Sequence, residues 1–260
     1  MADFRVFFLG DLTLQVRAWP NAEGKNVIAI DVSSAPPSSA PPSPELSHKL
    51  HKLAQYLGRL SFIRAATCAF DSVTLMLQPC TDAQVALEHV QLALKQELKQ
   101  HMRSNRRTHL VKFSRAQLGA EFLPDLAALA AHARRSDRDW LAQFCATTFT
   151  VAMIGFRPGF PYLLGLPDAL AMPRLARPRI SVPRGSVAIG GSFAGIYPAR
   201  SAGGWHVIGV TNTILFDVSA AEPCLFTAGD TVRFQLQDCA ESSFWPRKLS
   251  RFGVMKALVS

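Results

Sequence analysis

From residue 149 onward the chain is cut into short apolar runs, FTVAMIGF, SVAIGG, HVIGV, TILFDV and DTVRFQL, divided by Gly, Pro and Asn. Such runs are too short for ordinary helices, and a turn signal follows each one. In the last of them, Val232, Phe234 and Leu236 alternate with Thr231, Arg233 and Gln235. Period two is the mark of a half-buried strand, so this half of the chain is predicted to be an all-β barrel or sandwich. No internal repeat suggests a solenoid.

The first part has a different grain. Leu12, Leu14 and Val16 alternate with polar residues, and residues 27–32 and 72–77 read as further strands. The tract SSAPPSSAPPSP at 33–44 cannot form a core and is expected to be a solvated loop. A helix should follow it, capped by Ser43, with Pro44 at its first position and Leu46, Leu50, Leu53 and Leu57 on one face. His48 and His51 fall off that stripe. Their i, i+3 spacing suits a metal, but a solvated surface is the expectation. A second helix is predicted from a Thr81/Gln84 capping box and the stripe Leu87, Val90, Leu94, Leu98 and Met102. Strands and helices in this order predict a small α+β domain, a sheet with two helices, over residues 1–110. Residues 111–260 then hold a strand-like start, helical pieces at 124–132 and 137–145, and the β domain.

With 260 residues, 48% apolar and 18% charged, the chain can bury one large or two modest cores. No run approaches the length of a membrane span, and the opening MADFRVFFLG lacks a basic leader, so a cytoplasmic protein is expected. Five cysteines without a CxxC pair indicate neither a zinc site nor a disulfide framework, and no metal site is expected. The net charge of +9 permits an acidic partner. Its tightest basic run, RSNRR at 103–107, carries no interleaved aromatics and sits where a helix C-terminus is expected, so nucleic-acid binding is not predicted.

Two features carry the candidate chemistry. GFRPGFPYLLGLP, residues 155–167, packs three glycines and three prolines around Phe156, Phe160 and Tyr162. Gly and Pro fix a rigid loop, from which Phe160 and Tyr162 are expected to wall a pocket or a subunit contact; packing against the barrel is the alternative. Next, MPRLARPRISVPRGS repeats Pro–Arg at residues 173–174, 178–179 and 183–184. Proline cannot donate to a ladder, so this spine should run extended on the barrel surface, offering guanidiniums to a carboxylate or phosphate. Gly190, Gly191, Gly195, Gly203 and Gly204 follow, where backbone could approach a ligand or simply turn. Neither a nucleophile elbow nor a Walker A sequence is present, and nothing orients His206 toward a serine.

GFRPGFPYLLGLP, PRLARPRISVPRGSVAIGG and GIYPARSAGGWHVIGVT together resemble the family of 5-oxoprolinase B subunits and allophanate hydrolase subunit 1. GDLTLQV, LGAEFLPDL and AGDTVRF are weaker echoes of it. The resemblance implies a cyclophilin-like β-barrel behind the small α+β domain. It also implies companion C and A subunits, and ATP, shared with a partner subunit, for opening 5-oxoproline to glutamate. By the same resemblance Arg174, Arg179, Ser186, Tyr197, Ser201 and Thr211 are the catalytic candidates. Phe156, Pro158, Phe160, Tyr162, Gly191, Gly203, Gly204 and Trp205 are the substrate- or partner-binding ones. The family also includes a sporulation-kinase inhibitor and half of the carboxyltransferase region of urea carboxylases, which imply a regulatory protein or a partner of a biotin enzyme as alternatives.

The chain departs from the family pattern. Phe144 stands where a histidine is frequent, Ala194 where a threonine is usual, Val210 where an arginine is, Ala202 where SPGGW has its proline, and Leu123 at the glycine of GPDL. Donors and charge are lost while apolar bulk is kept. The fold is expected to tolerate this, whereas activity is where the losses would tell.

Overall fold

The structure is a computed structural model that describes residues 4–9, 12–20, 26–33, 44–79, 81–97, 107–115 and 118–237. Ser43, Leu98, Met102, residues 103–106 and nearly all of the Pro/Ser tract lie outside these.

Five antiparallel strands make the first sheet: β1 (Phe4–Leu9), β2 (Leu12–Pro20), β3 (Asn26–Ser33), β4 (Ile63–Cys68) and β5 (Ser72–Leu77), in the order β1-β2-β3-β5-β4. Two helices, α1 (Pro44–Leu57) and α2 (Ala83–Glu97), cover one face of it. Leu50, Leu53 and Leu57 of α1 and Leu87, Val90 and Leu94 of α2 meet Ile28, Ile30, Val73 and Leu75 in one core, as their spacing predicts. At the start of α2, Asp82 accepts from the backbone N–H of Val85 at 3.0 Å, while the Gln84 side chain of the expected capping box lies outside the described residues. A carboxylate there also complements the positive end of the helix.

The second sheet begins with β6 (Thr108–Phe113), followed by α3 (Leu123–His132) and α4 (Asp137–Ala146). Then come β7 (Thr148–Ile154), β8 (Pro161–Leu164), β9 (Arg179–Val182), β10 (Ser186–Gly190), β11 (Phe193–Ile196), β12 (Ser201–Gly203), β13 (His206–Val210) and β14 (Thr231–Leu236). Seven of these strands curl in the order β13-β10-β11-β8-β7-β14-β6. Ser114, just past β6, exchanges both backbone hydrogen bonds with Val210 of β13, at 2.9 and 2.8 Å, which nearly closes the barrel. Helices α3 and α4 pack Leu126, Leu129, Trp140 and Phe144 into its core beside Phe113, Phe149, Val187, Ile189 and Phe234. The run TILFDV is not a strand. It joins residues 223–225 by one bridge, Phe216 to Cys224, and buries Leu215 in the core.

Strands β9 and β12 pair only with each other, a two-stranded ribbon apart from the barrel sheet. The proline-punctuated spine runs here, as an extended segment should. Strand β10 is buried on both sides. Val187 and Ile189 enter the barrel core, whereas Ala188 faces a smaller cluster of Phe122, Phe160, Val182, Tyr197, Trp205 and Val207. The candidate site is built on this cluster. Among the described residues no helix is long and apolar enough to cross a membrane.

Candidate functional site

Strands β7 and β8 hold the Gly/Pro loop between Ile154 and Pro161, which are paired. Its tight path needs Gly159 at φ +79° and places Phe156 at φ +64°, a left-handed conformation that a large side chain adopts only under constraint. Phe156 remains 59% exposed. Phe160 does not project as expected. It is 2% exposed and is the hub of an aromatic cage, with ring centroids 5.4 Å from Phe156, 5.1 Å from Tyr162, 5.3 Å from Tyr197 and 5.4 Å from Trp205. Tyr162 packs edge-on to Phe70 of the first domain and to Phe193, so it too faces its own chain. The loop's rigidity therefore comes from packing, which leaves Phe156, with the exposed Pro158, as its outward aromatic.

Tyr197 stands at the end of β11, with Ser186 of β10 accepting its backbone N–H at 2.9 Å. Burial raises the Tyr197 phenol above its ordinary range; the backbone N–H of Trp205 and the charges of Arg174 and Arg179 oppose the shift. The phenol has room only because residue 203 is glycine, since a Cβ there would overlap the hydroxyl oxygen. Arg174 lies 5.9 Å from the Trp205 ring, a cation–π approach. Arg179 lies 4.9 Å from the Phe122 ring and donates from Nη2 to Asp125 Oδ1 at 2.7 Å. The other oxygen of Asp125 accepts from the Val207 backbone at 2.9 Å.

The fold thus brings Arg174, Arg179 and Trp205 to the Tyr197 phenol and the backbone of Ser186 to that of Tyr197. Ser201 is opposite Val182 in the ribbon, and its hydroxyl is buried. Thr211 stands apart in role: its hydroxyl donates to the Lys112 carbonyl at 2.6 Å and contacts Thr213, tying β13 to β6. Gly191 turns the β10–β11 hairpin at φ +63°, and both of its backbone groups bond Met172. The Gly204 carbonyl accepts from Leu175 at 2.8 Å. These two glycines serve the scaffold in this arrangement. His206 Nε2 bonds the Pro173 carbonyl at 2.9 Å.

Asp125 and Phe122, which hold Arg179, escape the sequence reading. Their one trace there is LGAEFLPDL, which resembles the family's acidic loop before a helix. Of the departures from the family pattern, Phe144 and Ala194 lie inside the barrel core, and Val210 pairs across from Ser186. Apolar side chains suit the first two places without strain.

A hollow of about 1000 Å³ lies between α1 and the barrel, lined by His48, His51, Lys52, Arg107, Glu222, Cys224 and Asp230 among others. His48 and His51 therefore face the other domain rather than open solvent. A Cβ on Gly229 would come within 2.6 Å of His48 Nδ1. Arg107, from the RSNRR run, bridges Glu222 at 3.0 Å and Asp230 at 3.3 Å. Burial alone would raise the Asp230 carboxyl, but bonds from Thr227, His109 and Arg107 hold it below the usual range. Among the described residues no group of His, Cys, Asp or Glu could hold a metal ion.

Residues 34–226 match the family model described as carboxyltransferase domain, subdomain C and D. The chain is 42% identical over 111 residues to the B subunit of 5-oxoprolinase from Escherichia coli O157:H7, covering 43% of this chain and 51% of that protein. It is 52% identical over 86 residues to the Haemophilus influenzae B subunit (33% and 40% covered), and 41% over 116 residues to that of Bacillus subtilis (45% and 48%). The aligned part thus spans about half the length of these relatives, or less. Among solved structures, TTHA0988 superposes with a TM-score of 0.64 at 28% identity, covering 77% of this chain and 38% of that one. The Kluyveromyces lactis urea carboxylase superposes at 0.63 with 19% identity, over 90% of this chain and 23% of that one, a likeness of fold alone. The chain belongs to the carboxyltransferase-domain family, subdomains C and D.

Proposed function

We propose that this chain is the B-type subunit of an ATP-dependent amide-opening hydrolase that converts 5-oxoproline to glutamate, acting with companion C and A subunits in the cytoplasm. The observation that carries the reading is the convergence of Arg174, Arg179, Tyr197 and Trp205 on one cage, within the most family-like stretch of the chain. The named relatives are B subunits of 5-oxoprolinase, which supports the same reading. A lactam resists hydrolysis because its carbonyl carbon is a poor electrophile. ATP supplies the activation, and fixed cations and hydroxyl donors stabilise the negative charge that develops on oxygen.

This chain's own residues do not fit a triphosphate. Arg179 is already committed in part to Asp125, and among the described residues no glycine-rich turn opens a helix at the cage. ATP is accordingly assigned to the assembled enzyme rather than to this chain. Thr211 is assigned the upkeep of the β13–β6 junction and not a chemical step. The test is co-expression of the three subunits with measurement of glutamate release from 5-oxoproline and ATP. Release above a control lacking this chain is expected, and Arg174→Ala should lower it at least about tenfold. No release above the control would overturn the reading.

A second reading, a regulatory protein that contacts a kinase or a biotin enzyme, is favoured by Phe156. A strained, exposed aromatic beside Arg157, near a ribbon whose Ile180 is 93% exposed, suits a protein contact. Replacing Phe156 by Ala would then abolish partner capture, whereas the enzyme reading predicts retained glutamate release when assembly is intact.

A further inference from the structure

Four hydrogen-bond donors are carried by the β9–β12 ribbon and the β10–β11 hairpin, whose residues share one aromatic cluster, and three of them are buried with no partner among the described residues: Arg179 Nη1, Ser186 Oγ and Ser201 Oγ. The fourth is the Tyr197 hydroxyl. Burial keeps that phenol protonated, so its proton is available to give. Their directions follow from the sheet. Ser186 lies in the same row of β10 as Ala188 and Gly190, the row that faces the aromatic cluster, and Ser201 stands across from Val182 of that cluster. An unmade hydrogen bond on a buried group is destabilising, so three around one cluster need an explanation.

Asp125 is the second part of the device. Its Oδ1 fixes Arg179 at 2.7 Å while its Oδ2 is anchored to the Val207 backbone at 2.9 Å. With Phe122 against one face, the guanidinium has a set orientation, and its Nη1 edge is turned away from Asp125. Arg174 adds a second positive charge near Tyr197. Two guanidiniums and one carboxylate leave a single net positive charge, amid the apolar walls of Phe160, Val182, Trp205 and Val207. That balance suits a small monoanion with an apolar body. A phosphate dianion or a triphosphate would leave uncompensated charge in an apolar place.

We propose that this chain alone binds a small carboxylate under the ribbon, held by Arg179 with Ser186, Ser201 and Tyr197, and that Asp125 is the residue that positions Arg179 for it. The proposal rests on the cage being the substrate site of the function proposed above, and it names what this chain recognises: the carboxylate rather than the lactam. The hydroxyls supply donors and the guanidinium edge supplies the countercharge. Gly203 keeps the place open for the Tyr197 phenol.

The experiment is calorimetric titration of the isolated, folded chain with 5-oxoproline, propionate, 2-pyrrolidinone and inorganic phosphate. Saturable binding of 5-oxoproline and propionate is expected, with pyrrolidinone, the same ring without its carboxylate, at least about tenfold weaker, and phosphate weaker still. Arg179→Lys should weaken 5-oxoproline by about tenfold or more, because an ammonium cannot reproduce the oriented fork. Ser186→Ala and Ser201→Ala should each weaken it several-fold while leaving thermal stability equal or higher, since each removes a buried hydroxyl without a protein partner. Asp125→Asn should weaken carboxylates but not pyrrolidinone, a selectivity that mere structural damage would not produce. Absence of saturable carboxylate binding, equal affinity for pyrrolidinone, or binding indifferent to both serine changes would overturn the proposal. Glutamate release by the three-subunit assembly, alongside no carboxylate binding by this chain, would overturn the proposal and leave the enzyme reading standing. Carboxylate binding without glutamate release would do the reverse.

Discussion

Asp125 shows what one side chain can carry. Both of its oxygens are engaged, one by a cation and one by a backbone amide 82 residues away, so it joins α3, the ribbon and β13. Asp125→Ala would leave a guanidinium without its countercharge and a buried amide without an acceptor. A loss of about 2–4 kcal/mol in urea unfolding is expected, more than for a typical surface change. Arg174 and Arg179 were legible because proline marks each of them in an extended segment. Asp125 was not, because an acid in the first turn of a helix is explained by the helix dipole alone. Phe160 was misread for a related reason. Gly and Pro on both sides mark a turn, but the direction of the ring is decided by residues 37 and 45 positions later, Tyr197 and Trp205.

Elements were readable where periodicity is internal to them. The helices α1 and α2 and the strands β5, β7, β10, β13 and β14 stand where their patterns place them. TILFDV failed because apolar alternation states only that one side is buried; a strand also needs a neighbour, and here only residues 223–225 supply one. The start of α2 offers a sharper case. Asp82 is a good cap by type, and its bond to the Val85 N–H is a contact that the Thr81/Gln84 pattern does not reveal. Asp82→Ala should cost about 1 kcal/mol of stability, measured by urea unfolding, with the loss appearing in faster amide exchange in the first turn of α2.

At the scale of the whole molecule, the two domains meet across ionisable groups, a fact closed to sequence reading because α1 and the 222–230 loop are remote in the chain. His51 is pushed below its ordinary value of 6.5, first by burial, against a smaller opposing pull from Asp230. A base with a depressed folded pKa stabilises the fold above its unfolded pKa, and that contribution fades as pH falls below about 6.5. Asp230, also depressed, loses its contribution only as pH falls through the carboxylate range. Melting temperature should therefore decline in two stages on acidification, and His51→Gln should flatten the upper stage alone. A single decline confined to the carboxylate range in the unaltered chain would refute the role given to His51.

The pairing of β6 with β14 has a further consequence. These strands run parallel in full register, Thr108 beside Thr231 through Phe113 beside Leu236, although more than a hundred residues separate them. Every strand of the first sheet, by contrast, lies before residue 78. On the ribosome the leading domain can thus complete its sheet while the trailing one still waits for its final staves. Until Leu236 emerges, β6 lacks its parallel neighbour, and a growing polypeptide carries an unpaired edge while more than a hundred further residues are made.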